Sequence, residues 1–231
     1  MFFSKKYNLL FIASPKSGTV SIHEALENLD PSGERRKIKI GNKDITSKDL
    51  DQGIIGHARA RELKNALGND EYYKLHTIAF IRNPFSKLVS SYFFNKTNLL
   101  SHAFHIKGKK NKLKRSINYF LTTLFAKVLP FKIWALLYPY RSNLSYLTDY
   151  DGTIIVKHIG RTEYLNEDFH SIMKSLHIDT KDIQVGKKNT SNHKTYDNYF
   201  KSAWFKKMMY KKMKLDIDLY NQVCKARNSS I

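Results

Sequence analysis

NLLFIASPKSGTVSIHEAL, residues 8–26, is the stretch on which the reading of this chain turns. An unbroken apolar run, Leu9, Leu10, Phe11 and Ile12, stops at Ser14-Pro15-Lys16-Ser17-Gly18-Thr19, and an amphipathic pattern carrying Ile22, Ala25 and Leu26 follows. A short apolar run closed by turn residues reads as a buried strand, and apolar positions three and four apart read as a helix. The segment is therefore strand, tight loop, helix. Such a loop aims successive backbone N–H groups at one spot, and the positive end of the helix dipole adds to them. Gly18 lets the backbone come close to a ligand, and Lys16 supplies a mobile full charge. The loop suits a phosphate or a similar anion, which points to a nucleotide-type ligand. It is neither GxxxxGK[ST], since its lysine precedes the glycine, nor GxGxxG.

The same alternation continues downstream. Residues 30–52 are polar and charged, a loop or short elements; GIIGHA (53–58) reads as a short buried strand, and ARELKNAL (60–67) starts a helix. LHTIAFIRNPF (75–85) is a strand stopped at Asn83-Pro84, and SKLVSSYFFNK (86–96) opens a helix. TIIVKHIG (153–160) is β-rich, EDFHSIMKSLH (167–177) is helical, and a last helix covers about 199–222. Strands alternating with helices predict an α/β fold, a three-layer P-loop-like domain around a central parallel sheet. The stretch 97–150 breaks the rhythm. Its basic run HIKGKKNKLKRS (105–116) and aromatic, apolar run at 117–139 predict a helical insertion over the ligand-binding edge, serving acceptor choice, coverage of a sheet face, or both. No repeat or linker divides residues 1–231, so one domain is expected.

Composition narrows the partners. The chain has 231 residues, 42% of them hydrophobic and 13% aromatic, too rich for a disordered chain. The net charge of +20 calls for an anionic partner: nucleic acid, an acidic glycan, a nucleotide or an anionic membrane surface. The single Cys224 excludes an internal disulfide and any multi-cysteine metal site. No cleavable leader pattern precedes the first strand, and Lys127, Pro130 and Lys132 interrupt 117–139, which leads to the expectation of a cytoplasmic protein with no spanning helix. Contact of 117–139 with the inner membrane face stays open.

A second constellation sharpens the first. Arg82 stands at the end of the strand in IAFIRNPFSKLVSSYFF, and Ser90 follows eight residues later on the predicted helix. A planar fork of donors and a hydroxyl make a natural pair for a second phosphate. Here the chain resembles a known family. PKSGTVS is similar to the 5′-phosphosulfate loop of the PAPS-dependent sulfotransferases, and RNPFSKLVSSY to their 3′-phosphate motif. YPYRSNLSYL (138–147) and IGRTEYLNEDF (159–169) resemble segments of the branch that sulfates carbohydrates, sulfotransferase family 2. Val20 and Ser21 follow Thr19 where the family often has a second threonine and a tryptophan, and Lys87 stands where many members carry arginine.

The resemblance implies a transferase that moves a sulfuryl group from PAPS to a hydroxyl or amine, most naturally of a carbohydrate, anionic or lipid-linked acceptors included. It implies that Lys16, Ser17, Gly18, Thr19 and Val20 hold the 5′-phosphosulfate, that Arg82 and Ser90 hold the 3′-phosphate, and that Lys16 assists the leaving group without a metal. It also places a polar loop, GKKNTSNHK (186–194), over the nucleotide, with Lys188, Asn189, Ser191 and Lys194 as contacts, although a solvated basic loop explains the same residues. His57 is the candidate general base, since an imidazole titrates near neutral pH; a structural histidine at a helix start is the competing reading. His23 and Glu24 are rival bases that fit better as ordinary helix residues. Arg161 and Glu163 either back the site or pair structurally. Two alternatives remain at this point: a basic nucleic-acid module with Tyr119 and Phe120 as stacking residues, which leaves the two anion motifs unexplained and makes nucleic acid the less favoured partner, and a kinase-like P-loop enzyme, which needs acidic Mg²⁺ ligands.

Overall fold

The structure, a computed structural model, describes residues 1–35, 38–40, 43–46, 50, 55–97, 121–186 and 194–228. It divides into two compact units. The first takes residues 1–83, 141–189 and 215–231, and the second takes 84–140 and 190–214.

The first unit is a mixed α/β layer structure. Strands β1 (Phe2–Ser4), β2 (Leu9–Ile12), β5 (His76–Ile81) and β6 (His158–Arg161) form one sheet in the order β1-β2-β5-β6. β2, β5 and β6 run parallel, and β1 is added antiparallel at the edge. A separate hairpin pairs β3 (Ile38–Ile40) with β4 (Lys43–Ile45). β2 (LLFI) and the IAFI of β5 are apolar and buried at consecutive positions because both sheet faces are covered. Leu9, Phe11, Ile78 and Phe80 point to one face, where they meet Ile22, Ala25 and Leu26 of α1 (Thr19–Leu29) and Phe169, Ile172 and Met173 of α7 (Leu165–Ser175). Leu10, Ile12, Ala79 and Ile81 point to the other face, among Leu63 and Leu67 of α2 (Ala60–Leu67), Tyr72 of α3 (Asn69–Lys74), Leu147 of α6 (Leu144–Leu147) and Leu219 of α8 (Ala203–Asn228). The period of two along each strand thus sorts one sequence onto two cores. Gly160 faces Phe80 across the β5–β6 ladder, and a Cβ there would lie 2.4 Å from the phenyl ring, so only glycine leaves room for it.

A buried ion pair locks β6 to the helix after it. The Arg161 guanidinium donates from Nε to Asp168 Oδ2 and from Nη2 to Oδ1, both at 2.9 Å, and the Arg161 N–H donates to Oδ2 at 2.7 Å. Asp168 lies in the first turn of α7, where the helix dipole favours a carboxylate. Of the two readings of Arg161, the structural one describes its bonds.

In the second unit, α4 (Pro84–Thr97), a helical segment at 121–128, α5 (Phe131–Leu137) and residues 203–214 of α8 surround an aromatic core. The Phe131 ring meets Tyr92, Tyr199 and Phe200 edge-on at 5.1–5.5 Å between centroids, and Trp134 stacks on Tyr138 at 4.2 Å. The described part of the apolar run at 117–139 therefore has a packing role; the basic run 105–116 lies outside the described residues.

Three sequence expectations change. GIIGHA is not a strand where it is described: Ile55–His57 is one turn of 3₁₀ helix, because two isoleucines between glycines are too short to hold a ladder. The β-rich run at 153–160 shifts, with the strand at His158–Arg161 and only an isolated bridge from Ile154 to Thr148. The edge strand β1 went unread, since three residues show no periodicity.

Replacing Asp168 by alanine leaves the Arg161 charge buried without its carboxylate. We expect a loss of about 3–5 kcal/mol of unfolding free energy in urea denaturation.

Candidate functional site

Parallel pairing carries the site. Because β2, β5 and β6 point the same way, their carboxyl ends share one edge of the sheet, the usual ligand crevice of such folds. β2 leads into the loop 13–18, β5 into Arg82, and β6 into Thr162 and Glu163.

The loop is shaped by two residues with positive φ, Lys16 at 63° and Gly18 at 69°. Gly18 is the N-cap of α1, in left-handed geometry, and no side chain caps the helix start. The first-turn amides point out of the helix start, a geometry that favours an anion. A Cβ on Gly18 would also press on Leu165 at 3.1 Å, so space and backbone both demand glycine. The Thr19 hydroxyl closes the loop by donating to the Ser14 carbonyl at 3.0 Å. Thr162, at the end of β6, donates to the Ile81 carbonyl at 3.0 Å and fixes the neighbouring strand end.

A residue with no role in the sequence reading ties these pieces together. Asn143 is fully buried. Its Oδ1 accepts from the hydroxyls of Ser14 at 3.2 Å and Ser17 at 3.4 Å, and its Nδ2 donates to the Arg82 carbonyl at 3.0 Å. Asn143 is itself held by Asp216 of α8, whose carboxylate accepts from the N–H groups of Asn143 at 2.7 Å and Leu144 at 3.0 Å and from the Ser142 hydroxyl. Asn143 lies within YPYRSNLSYL, but nothing in the spacing of that segment links it to Ser14 or to Asp216.

Two cations converge here. Burial, and then the charge of Arg82, lowers the Lys16 ammonium to about 8. Burial also lowers the Arg82 guanidinium, and the Glu163 carboxylate opposes that shift. Glu163 is fixed by the Asn83 N–H on Oε1 and the Tyr220 hydroxyl on Oε2, both at 3.0 Å. Burial, with Glu163 beside it, raises the Tyr220 phenol, which stays protonated and donates. Two desolvated positive groups that raise each other's energy form a site that a bound anion stabilises.

His57 Nδ1 lies 2.9 Å from the carbonyl of Ala13, the residue that opens the loop. A carbonyl only accepts, so Nδ1 carries a proton and donates it to Ala13. This histidine sits in a 3₁₀ turn and not at a strand end, yet its side-chain bond brings it to the mouth of β2. His23 differs: it is buried on α1, edge-on to Phe11, with Nδ1 at 2.8 Å from the Arg35 guanidinium. Burial chiefly, with the charges of the N-terminus and Arg35, holds it down at about 3. It is a core residue, and Glu24 follows it along the same helix.

Over residues 1–221 the chain matches the sequence model described as the sulfotransferase family. The chain belongs to the sulfotransferase family. No curated protein and no solved structure matches it. Sulfotransfer is the activity that membership supports, PAPS is the family's general donor, and a hydroxyl-bearing molecule is its general acceptor. In this sulfotransferase, Lys16, Gly18, Thr19, Arg82 and His57 all stand in the first unit, around the ends of β2 and β5. Val20 is half exposed in the first turn of α1, and Ser17 has its hydroxyl on Asn143. Ser90 is buried on α4, in the second unit. Lys188, Asn189 and Ser191 lie outside the described residues, and Lys194 is exposed. Among the described residues no helix is long and apolar enough to cross a membrane.

Truncating Asn143 to alanine strands two buried serine hydroxyls and one carbonyl. We expect at least about 1–3 kcal/mol of destabilisation in chemical denaturation, together with faster amide exchange across the loop 14–18.

Proposed function

We propose that this chain transfers a sulfuryl group from PAPS to a hydroxyl, or an amine, of a carbohydrate acceptor, on a P-loop-like version of the α/β fold. One observation carries the reading: Lys16 and Arg82, both desolvated and mutually repelling, lie at the ends of neighbouring parallel strands beside an uncapped helix start. The donor set fits a ligand with two separate anionic groups. The amides of Ser17, Gly18, Thr19 and Val20, with Lys16, would hold the 5′-phosphosulfate, and Arg82 the 3′-phosphate. A carbohydrate acceptor, including an acidic or lipid-linked one, suits the +20 charge and the likeness of 138–147 and 159–169 to the carbohydrate branch. A cytoplasmic place of work belongs to the same reading.

Bound PAPS supplies a sulfuryl group activated by a phosphate leaving group. Lys16 neutralises the charge that grows on the bridging oxygen, an interaction stronger in the transition state than before it. His57 takes the acceptor proton at Nε2, its ring held in the required tautomer by the Ala13 carbonyl. Glu163 favours the charged form of Arg82 electrostatically while remaining bonded to Asn83 and Tyr220. The Asn143 brace sets the position of the loop relative to Arg82, so the two anion-binding elements act as one receptor.

Calorimetric titration with PAP, ATP and a short DNA duplex tests the donor. PAP should bind selectively, and Lys16→Ala and Arg82→Ala should each weaken it by roughly 10- to 100-fold, the value of a hydrogen bond to a charged group. Equal binding of ATP and PAP, or binding of DNA alone, overturns the reading. The acidity of Lys16 gives a further expectation. An anion favours the ammonium form and raises its pKa, so PAP affinity should fall as pH rises through about 8. Near that pH binding should take up a proton, seen as a dependence of the heat on buffer ionisation enthalpy and lost in Lys16→Ala.

His57→Ala should leave PAP affinity within about twofold and lower transfer from radiolabelled PAPS to carbohydrate acceptors by roughly 100- to 10,000-fold. Transfer at the unmodified rate removes His57 as the base.

A further inference from the structure

We infer that the second unit carries a docking surface for an anionic lipid bilayer, formed by the outward face of α8 over residues 203–214 and the C-terminal end of α5. This surface does not depend on the sulfotransfer reading. Residues 201–214 hold six lysines and no acidic residue. α8 turns Phe205, Met209 and Met213, spaced four apart, into the core of the unit. Its outward side shows Trp204, 64% exposed, and Met208 one turn further on, and the two share a face of the helix. Beside them Lys206, Lys207, Tyr210, Lys211 and Lys214 line a shallow groove.

Lys212 behaves differently. Its ammonium donates to the carbonyls of Ala135 at 2.9 Å, Leu136 at 2.8 Å and Tyr138 at 2.7 Å, and burial lowers its pKa. It thus caps α5 and holds that helix end against α8. The residues it holds there include Leu136 and Leu137, the latter 64% exposed. Apolar side chains in water therefore stand next to a row of lysines, on rigid elements that share a capped contact.

The mixture decides the partner. A soluble polyanion would use the lysines and leave Trp204, Met208 and Leu137 in water. A bilayer interface takes both sets: lysines at the anionic headgroups, the indole and aliphatic side chains at the acyl boundary. The sequence leaves lipid contact open for 117–139 as a whole. The structure buries Phe131, Trp134 and Ala135 of that run and leaves Ile133, Leu136 and Leu137 outward, which narrows its share of the surface.

Co-sedimentation with vesicles tests this, using phosphatidylcholine alone and phosphatidylcholine with about 30% phosphatidylglycerol. The protein should pellet with the anionic vesicles only and be released by high salt. The chain has two tryptophans, and Trp134 is buried, so quenching by brominated lipid reports on Trp204. Quenching is expected. The triple variant Lys206→Glu, Lys207→Glu, Lys211→Glu changes exposed side chains and should keep its unfolding midpoint while its partitioning falls at least about tenfold. The proposal fails if the vesicles leave the protein in solution, if bound protein shows no quenching, or if the triple variant binds undiminished. It also fails if heparin captures the protein while vesicles do not, which makes the face a site for a soluble polyanion.

Discussion

A buried carboxylate on the last helix organises the anion site of the first unit. Asp216 accepts from the Asn143 and Leu144 N–H groups and the Ser142 hydroxyl, and so fixes Asn143 at the start of a four-residue helix too short to hold itself. Asn143 then spends both ends of its amide on other elements: Oδ1 on Ser14 and Ser17 of the loop, Nδ2 on the carbonyl of Arg82. Each of these groups is withdrawn from water, and a buried polar group without a partner costs more than its bond contributes. The chain therefore has one low-energy way to arrange the loop and the end of β5 relative to each other.

That rigidity matters because the groups it positions oppose each other. Lys16 and Arg82 are both desolvated and of like charge, and each lowers the stability of the charged site without a ligand. The Glu163 carboxylate offsets part of this cost at Arg82 while its oxygens remain on Asn83 and Tyr220. The remainder is left for an anion, which the uncapped amides of α1 also favour. The bond from His57 Nδ1 to the Ala13 carbonyl ties this histidine to the residue that opens the loop.

Most of the layer structure was legible in the chain. The run Leu9–Ile12 is apolar on consecutive residues because the strand is covered on both faces, and HTIAFI at 76–81 repeats the pattern. ARELKNAL became a helix over Ala60–Leu67 as its spacing predicts. The short pieces were not legible. Phe2–Ser4 is too brief for a period, and the isoleucines before His57 read as a strand in sequence although Ile55–His57 is a 3₁₀ turn. Arg161 could not be sorted between site and scaffold until its bidentate bond to Asp168 was seen, since a guanidinium serves either equally well in sequence.

The sequence by itself determined the strand–loop–helix unit, its lysine and its obligatory glycine, because strand burial, turn chemistry and helix starts are written in residues close together along the chain. It also marked Arg82 at a strand end and His57 as a titratable group near the loop. Only the tertiary structure decided that Lys16 and Arg82 share one electrostatic environment, that the His57 proton lies on Nδ1, and that Asn143 and Asp216 brace the loop. Those facts depend on hydrogen bonds and desolvation between residues as many as 129 positions apart. Local propensity carries no information about such pairs, and parallel strand pairing is what brings them to one edge.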